Sequence, residues 1–237
     1  MEDKEKMLKV EGLAVRFGEN EVLNDVSFSV EKGEALAVVG PNGAGKTVLF
    51  RALLGFLPHQ GKVEWAKNIK IGYVPQKLAV DNNFPISVGD FFQFKTKNKN
   101  EIYEALNSVG IKGDEEYLKH HILDKRFGAL SGGQFQRIMI AWAIVNKPDI
   151  LLFDEPTSGI DIGGEETIYN LLHKLQTKNI LSIILISHDL NIVYRYANKV
   201  LCLNKEMVCF GEPHIVLDPE SLSKLYGGKT RFYQHEH

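Results

Sequence analysis

The sequence predicts an α/β chain: a mostly parallel sheet built from strands alternating with helices, a strand-rich N-terminal segment ahead of it, and a helical insertion. Three observations predict this. Short apolar runs within residues 36–39, 149–154 and 181–187 have the pattern of strands buried on both faces. Helical stretches at 48–54, 134–145 and 161–178 alternate with them, which demands crossover connections and hence parallel pairing. From about residue 87 to 130 the spacing becomes helical without intervening strands.

Taken in order, Val26, Phe28 and Val30 alternate with Asp25, Ser27 and Ser29, so this segment is a strand with one buried face, and the first forty residues read as sheet. The run 36–39 enters Gly40, and a helix follows the glycine-rich loop. Residues 62–65 and 69–74 read as further strands, the second stopping at Pro75. Within the insertion, Ile102, Ala105, Leu106 and Val109 share one helix face and Gly110 is placed as a C-terminal cap, while the basic run from Lys95 to Asn100 reads as a solvated loop. Beyond His188, residues 200–203 and 207–210 form a strand pair around a turn at Asn204, Lys205 and Glu206, and a short helical tail ends near Tyr226. No internal repeat is present.

Composition bounds the function. The 237 residues are enough for one large domain, with 44% hydrophobic and 24% charged residues. A net charge of -2 lacks the basic footprint of a nucleic-acid binder, so no nucleic acid is expected as partner. Cys202 and Cys209 are too few for a disulfide framework, and the first six residues lack the apolar core of a secretory signal, so a reducing cytoplasm is the expected compartment. The longest apolar stretch, 180–186, is far short of the roughly 20 residues that cross a bilayer.

The chemistry is concentrated in a few places. In Gly40, Pro41, Asn42, Gly43, Ala44, Gly45, Lys46 and Thr47, with Val48 continuing into the helix, the glycines let backbone N–H groups converge on phosphate oxygens at a positive helix start. Lys46 would reach the terminal phosphates, and the Thr47 hydroxyl would ligate Mg2+. Asp154 and Glu155 end an apolar strand at the edge where open α/β sheets bind ligands. Adjacent strand residues point opposite ways, so their roles differ: Asp154 suits the magnesium shell, directly or through water, and Glu155 is free to polarise an attacking water. His188 follows the next buried strand and can contact a γ-phosphate; Gln76, after a strand and a proline, can bridge magnesium or water to a neighbouring segment. Ser131 is placed as the N-cap of a helix whose first residues, Gly132, Gly133 and Gln134, expose its amides.

In this order, the loop at 40–47, Gln76, the Leu130 to Gln134 string, the strand into Glu155, Ser158-Gly159-Ile160-Asp161 and His188 resemble the Walker A, Q-loop, signature, Walker B, D-loop and switch-histidine series of ABC-transporter ATPase subunits. The resemblance covers nearly the whole chain. It implies the ABC ATPase fold, a P-loop NTPase core with an N-terminal antiparallel β subdomain. A single domain over 1–237 is expected, with the core at about 1–86 and 131–237 and a helical subdomain at about 87–130. Phe17 falls where that family stacks an aromatic ring on adenine, although the family more often has tyrosine. Ile160 stands where leucine is common, leaving the role of Asp161 intact. The resemblance also implies ATP hydrolysis with Mg2+, a homodimer closed by ATP in which Ser131 and Gly133 act in trans, and a polytopic permease. The subunit would then be cytoplasmic, peripheral on the inner face of the cell membrane. Residues 74–76, 80–88, 159–161 and 225–228 look similar to ATPases of manganese, zinc or iron importers, which implies a metal-binding solute-binding protein as an indirect partner. An ATPase for another small solute, or a soluble one of iron-sulfur cluster assembly, is the alternative. His235 and His237 make an incomplete metal site, and no metal sensing is expected from them.

Overall fold

The structure, a computed structural model, describes residues 5–76, 85–155, 162–179 and 181–227, with residues 162–167 and 178–179 as backbone alone. Its contacts divide the chain into two units, Met1–Asn68 with Ser182–His237, and Ile69–Leu181. The first unit begins with β1 (Lys6–Phe17), β2 (Asn20–Glu31), β3 (Ala35–Val39), α1 (Lys46–Leu53) and β4 (Gln60–Trp65). The second holds β5 (Ile71–Val74), α2 (Val88–Gln93), α3 (Lys99–Ser108), α4 (Glu115–Leu118), α5 (Gly132–Ile144), β6 (Ile150–Asp154) and α6 (Ile162–Asn179). The first resumes with β7 (Ser182–Ile186), α7 (Leu190–Tyr196), β8 (Lys199–Asn204), β9 (Glu206–Gly211), α8 (Pro213–Val216) and α9 (Pro219–Tyr226).

In the first unit, the alternation read in residues 25–30 becomes β2, with Val26, Phe28 and Val30 buried. β2 pairs antiparallel with β1, and β4 lies antiparallel on the other edge of β1. The apolar run at 35–39 is β3, buried at every residue and paired in parallel with β7 on one side and β8 on the other. Its start is pinned by polar contacts: Ala35 N–H donates to Asn198 Oδ1 at 2.8 Å and Gly33 N–H to Ser182 Oγ at 2.9 Å. The buried Glu34 carboxylate accepts from Glu31 N–H and faces Lys199 Nζ at 3.0 Å. α1 buries Leu49, Phe50, Ala52 and Leu53, and Trp65 Nε1 donates to Leu53 O at its C-terminal end. These contacts fix both flanks of the glycine-rich loop.

β8 and β9 form the expected antiparallel pair, with Lys205 at the turn in a left-handed conformation, φ 64°. The register sets Cys202 opposite Cys209, and a disulfide joins them with Cα atoms 4.8 Å apart. Two cysteines make no framework, but they do make one staple. α7 had no clear sequence signal; Asp189 starts it by accepting from Asn191 N–H at 2.8 Å.

In the second unit, β5 and β6 pair in parallel, and α5 buries Ile138, Met139, Ile140, Ala141 and Ala143. The helical insertion enters and leaves side by side, since Val88 N–H donates to Lys125 O at 2.9 Å and Phe127 N–H to Ile86 O at 3.0 Å. Within it the chain folds into short pieces rather than long helices, docked on α5 through aromatic contacts. Phe91 lies 4.8 Å from the ring of Trp142, whose Nε1 donates to Phe91 O at 3.1 Å, and Arg137 donates to Val109 O at the end of α3. The basic run at 95–100 is not a plain solvated loop. Lys95 sits over the Trp142 ring at 3.9 Å, where burial pulls its pKa down to about 8, and Asn98 caps α3, so Lys99 and Asn100 are already helical. Among the described residues, no helix is long and apolar enough to cross a membrane.

Candidate nucleotide-binding site

In the first unit, the loop between β3 and α1 is shaped by two glycines that the fold requires. A Cβ on Gly40 would lie 2.0 Å from Leu203 O, a backbone atom of β8 that has nowhere to go. Gly45, the residue before α1, has φ 94°, and a Cβ there would meet Leu23 Cδ2 at 2.6 Å. β2 thus lies directly beneath the loop. Lys46, only 6% exposed, donates from Nζ to Gly40 O at 2.8 Å and to Pro41 O at 3.0 Å. Asn42 and Gly43 are exposed, Ala44 is buried, and Pro41, Thr47 and Val48 are half-buried. A nearly buried ammonium, a helix start with no acidic residue in its first turn, and a glycine-shaped loop suit a polyphosphate and would repel a cation.

The same sheet edge carries His188. Val38 of β3 pairs with Ile186 of β7, and Ser187 N–H donates to Val38 O at 3.2 Å, so the two parallel strands deliver Gly40 and His188 side by side. His188 is exposed. Phe17, at the β1–β2 turn opposite Asn20, is 50% exposed, an apolar ring offered to solvent at the end of the hairpin that supports Gly45. The sequence gives no sign of a further support, the tip of the β8–β9 hairpin. Its contribution is made by backbone atoms: Lys205 N–H donates to Ala44 O at 3.0 Å, and Lys205 O accepts from Asn24 N–H at 2.8 Å.

In the second unit, parallel pairing of Val74 with Phe153 brings the ends of β5 and β6 together, and with them Gln76, Asp154 and Glu155. Asp154 is 1% exposed. Glu155 turns away into a left-handed conformation, φ 44°, and its Oε2 accepts a hydrogen bond from Gln76 Nε2. The two carboxylates have different surroundings, as the sequence predicts, but the cause is the left-handed turn at Glu155 just past the strand rather than strand alternation, and the Gln76–Glu155 contact was not anticipated.

Ser131 caps α5 as predicted, and the cap is reciprocal: Ser131 Oγ accepts from Gln134 N–H and Gln134 Oε1 accepts from Ser131 N–H, both at 3.3 Å. Ser131 and Gly132 are exposed and Gly133 half-buried. A Cβ on Gly133 would meet nothing within 4 Å, so packing inside the chain does not require glycine there. Asp161, the rest of the Ser158 to Asp161 string, residues 77–84, His235 and His237 lie outside the described residues.

Thr47, Gln76 and Asp154 each carry an oxygen donor of the kind Mg2+ takes. Among the described residues there is no cluster of His, Cys, Asp and Glu that could hold a metal ion.

Comparison with known proteins agrees. The family described as ABC transporter matches residues 23–158. The chain is 36% identical over 239 residues to a zinc import ATP-binding protein, ZnuC, of Wigglesworthia glossinidia brevipalpis, covering 98% of this chain and 100% of the relative. It is 35% identical to the protein of the same name from Haemophilus influenzae, covering 100% of this chain and 87% of the relative. Among solved structures, a metal-chelate type ABC transporter in an inward-facing conformation superposes with a TM-score of 0.80 at 32% identity, over 93% of this chain and 88% of that one. CbiO1 of Clostridium perfringens, part of the ABC transporter complex cbiONQ, gives 0.74 at 27% identity, over 93% and 94%. The chain belongs to the ABC transporter family, as an ATP-binding and ATP-hydrolysing subunit.

Proposed function

We propose that this subunit energises import of zinc, or of a divalent metal handled like it, through a separate membrane permease. The observation that carries this reading is the end-to-end match to zinc import ATP-binding proteins. In it, the Phe17 ring stacks on adenine and Lys46 exchanges its two carbonyl partners for anionic phosphate oxygens, a stronger interaction for an ammonium. Thr47, Gln76 and Asp154 would hold Mg2+, which offsets negative charge on the phosphates when bound. Glu155 takes the proton of the attacking water, held in place by the Gln76 amide, and His188 donates an N–H to the γ-phosphate.

Two copies of the chain supply two composite sites, with Ser131, Gly132, Gly133 and Gln134 of one copy closing on the phosphate loop of the other, and Asp161 at the seam. The open space at Gly133 supports this, because a glycine that its own chain does not need is explained by close approach from outside. The domain reading is one ABC ATPase domain whose helical subdomain, 87–130, leaves the core; the side-by-side entry and exit at Ile86, Val88, Lys125 and Phe127 support it. The subunit sits at the cytoplasmic face of the membrane through its permease, and a solute-binding protein delivers the metal on the other side. A second reading, import of a chelated metal, is favoured by the structural likeness to a metal-chelate type transporter.

Uptake separates the two readings. Cells lacking this chain should accumulate less labelled zinc from zinc-limited medium, with recovery by the intact chain and none by Glu155→Gln. Unchanged zinc uptake with impaired uptake of a metal chelate would favour the second reading and overturn the first.

A further inference from the structure

We propose that Cys202 and Cys209 form a reversible thiol–disulfide switch that sets how firmly the β8–β9 hairpin braces the phosphate loop. The inference rests on the reading of the 40–47 loop as the ATP site. The two cysteines face each other in register, and their bond closes the hairpin immediately before its irregular tip, where Leu203 pairs with Met207 and Val208 is left over. That tip holds the loop. Leu203 O fills the space beside Gly40, Lys205 N–H donates to Ala44 O, and Lys205 O and Glu206 Oε1 accept from the backbone and side chain of Asn24. Every one of these contacts is made by residues between the two cysteines, so the staple and the brace are one short closed loop. Outside hyperthermophiles, disulfides of cytoplasmic proteins are mostly transient or redox-sensing rather than structural, which fits a switch in a subunit on the cytoplasmic face.

Reduction is balanced by a dithiol reductant. Cys202 is buried and Cys209 half-buried, so the reductant's thiolate attacks Sγ of Cys209. A mixed disulfide forms and Cys202 leaves as a thiolate that takes up a proton. The second thiol of the reductant then attacks its own mixed-disulfide sulfur, releasing Cys209 as a thiol and the reductant as a disulfide. With the bond broken, the tip keeps its backbone contacts but loses its fixed closure, and the phosphate loop is less well pre-formed for nucleotide. Linkage makes the effect reciprocal: bound nucleotide must favour the disulfide by the same factor.

The test uses the full chain, oxidised and then reduced with a small dithiol, titrated with a fluorescent MgATP analogue, while maleimide mass-tagging counts free thiols. The oxidised protein should bind roughly five- to tenfold more tightly, and saturating analogue should shift the dithiol concentration for half-reduction by the same factor. Cys209→Ser should bind like the reduced protein and ignore the dithiol; Cys202→Ala serves as a second variant should the first fail to fold. Equal affinity in both redox states, or no disulfide under oxidant, would overturn the switch with the ATP site intact. Failure to bind in either state would instead overturn the nucleotide reading, and the switch with it.

Discussion

Glu155 holds a conformation that glycine would hold more easily. At φ 44° its Cβ costs on the order of 1–2 kcal/mol, and such strain persists where a side chain is needed in one place. The hydrogen bond from Gln76 fixes the carboxylate that this backbone presents. The strain and the function are therefore separable by substitution. Glu155→Gly should raise stability by about 1 kcal/mol in chemical denaturation, because the left-handed backbone suits glycine. The same change should lower kcat about 10²- to 10⁴-fold, the range for a lost general base, and Glu155→Gln should lower it as far while still binding MgATP. Near-normal hydrolysis by either variant would remove Glu155 from the reaction.

The phosphate loop is an element whose shape is imposed by its neighbours, and two of its glycines separate that constraint from backbone freedom. Gly40 abuts Leu203 O, whereas Gly43, at φ 82°, has nothing within 4 Å of a Cβ. Gly40→Ala must push β8 away and should cost about 2–3 kcal/mol. Gly43→Ala meets only the left-handed penalty of about 1 kcal/mol. Denaturation of the two variants gives the comparison, and equal losses would mean that the hairpin yields freely. The glycine-rich loop, the capped start of α5 and the carboxylates at the end of β6 were legible in the sequence, because each depends on side-chain type at fixed spacing. The brace from Leu203 and Lys205 was not, because backbone groups make those contacts and any residue supplies them. The same distinction holds in the insertion. Gly110 and the α3 face were readable, but Lys95 over Trp142 brings together residues far apart in sequence, and no local pattern announces such a contact. The cysteine pairing belongs with these, since its register was set by a bulge that the strand pattern does not reveal.

Across the whole molecule, the residues proposed to handle nucleotide are divided between the two units: the glycine-rich loop, Phe17 and His188 in one, and Gln76, Ser131, Asp154 and Glu155 in the other. The Walker-type residues each have a local structural reason for their position. Gly133 does not, since Ser131 and Gln134 complete the helix cap between themselves and a Cβ on Gly133 would face open space. The proposed dimer would supply the reason, and complementation tests it. Ser131→Arg places a long cation in the exposed signature, and Lys46→Ala removes the ammonium proposed to bind phosphate, so each variant alone should be inactive. In a mixed dimer, the intact Lys46 of one chain meets the intact Ser131 of the other at one site, while both defects fall in the second site. With random pairing and independent sites, an equal mixture should recover about a quarter of the wild-type ATPase rate. A mixture as inactive as its components would mean that each chain completes its own site, and that the glycines of the signature serve something other than nucleotide.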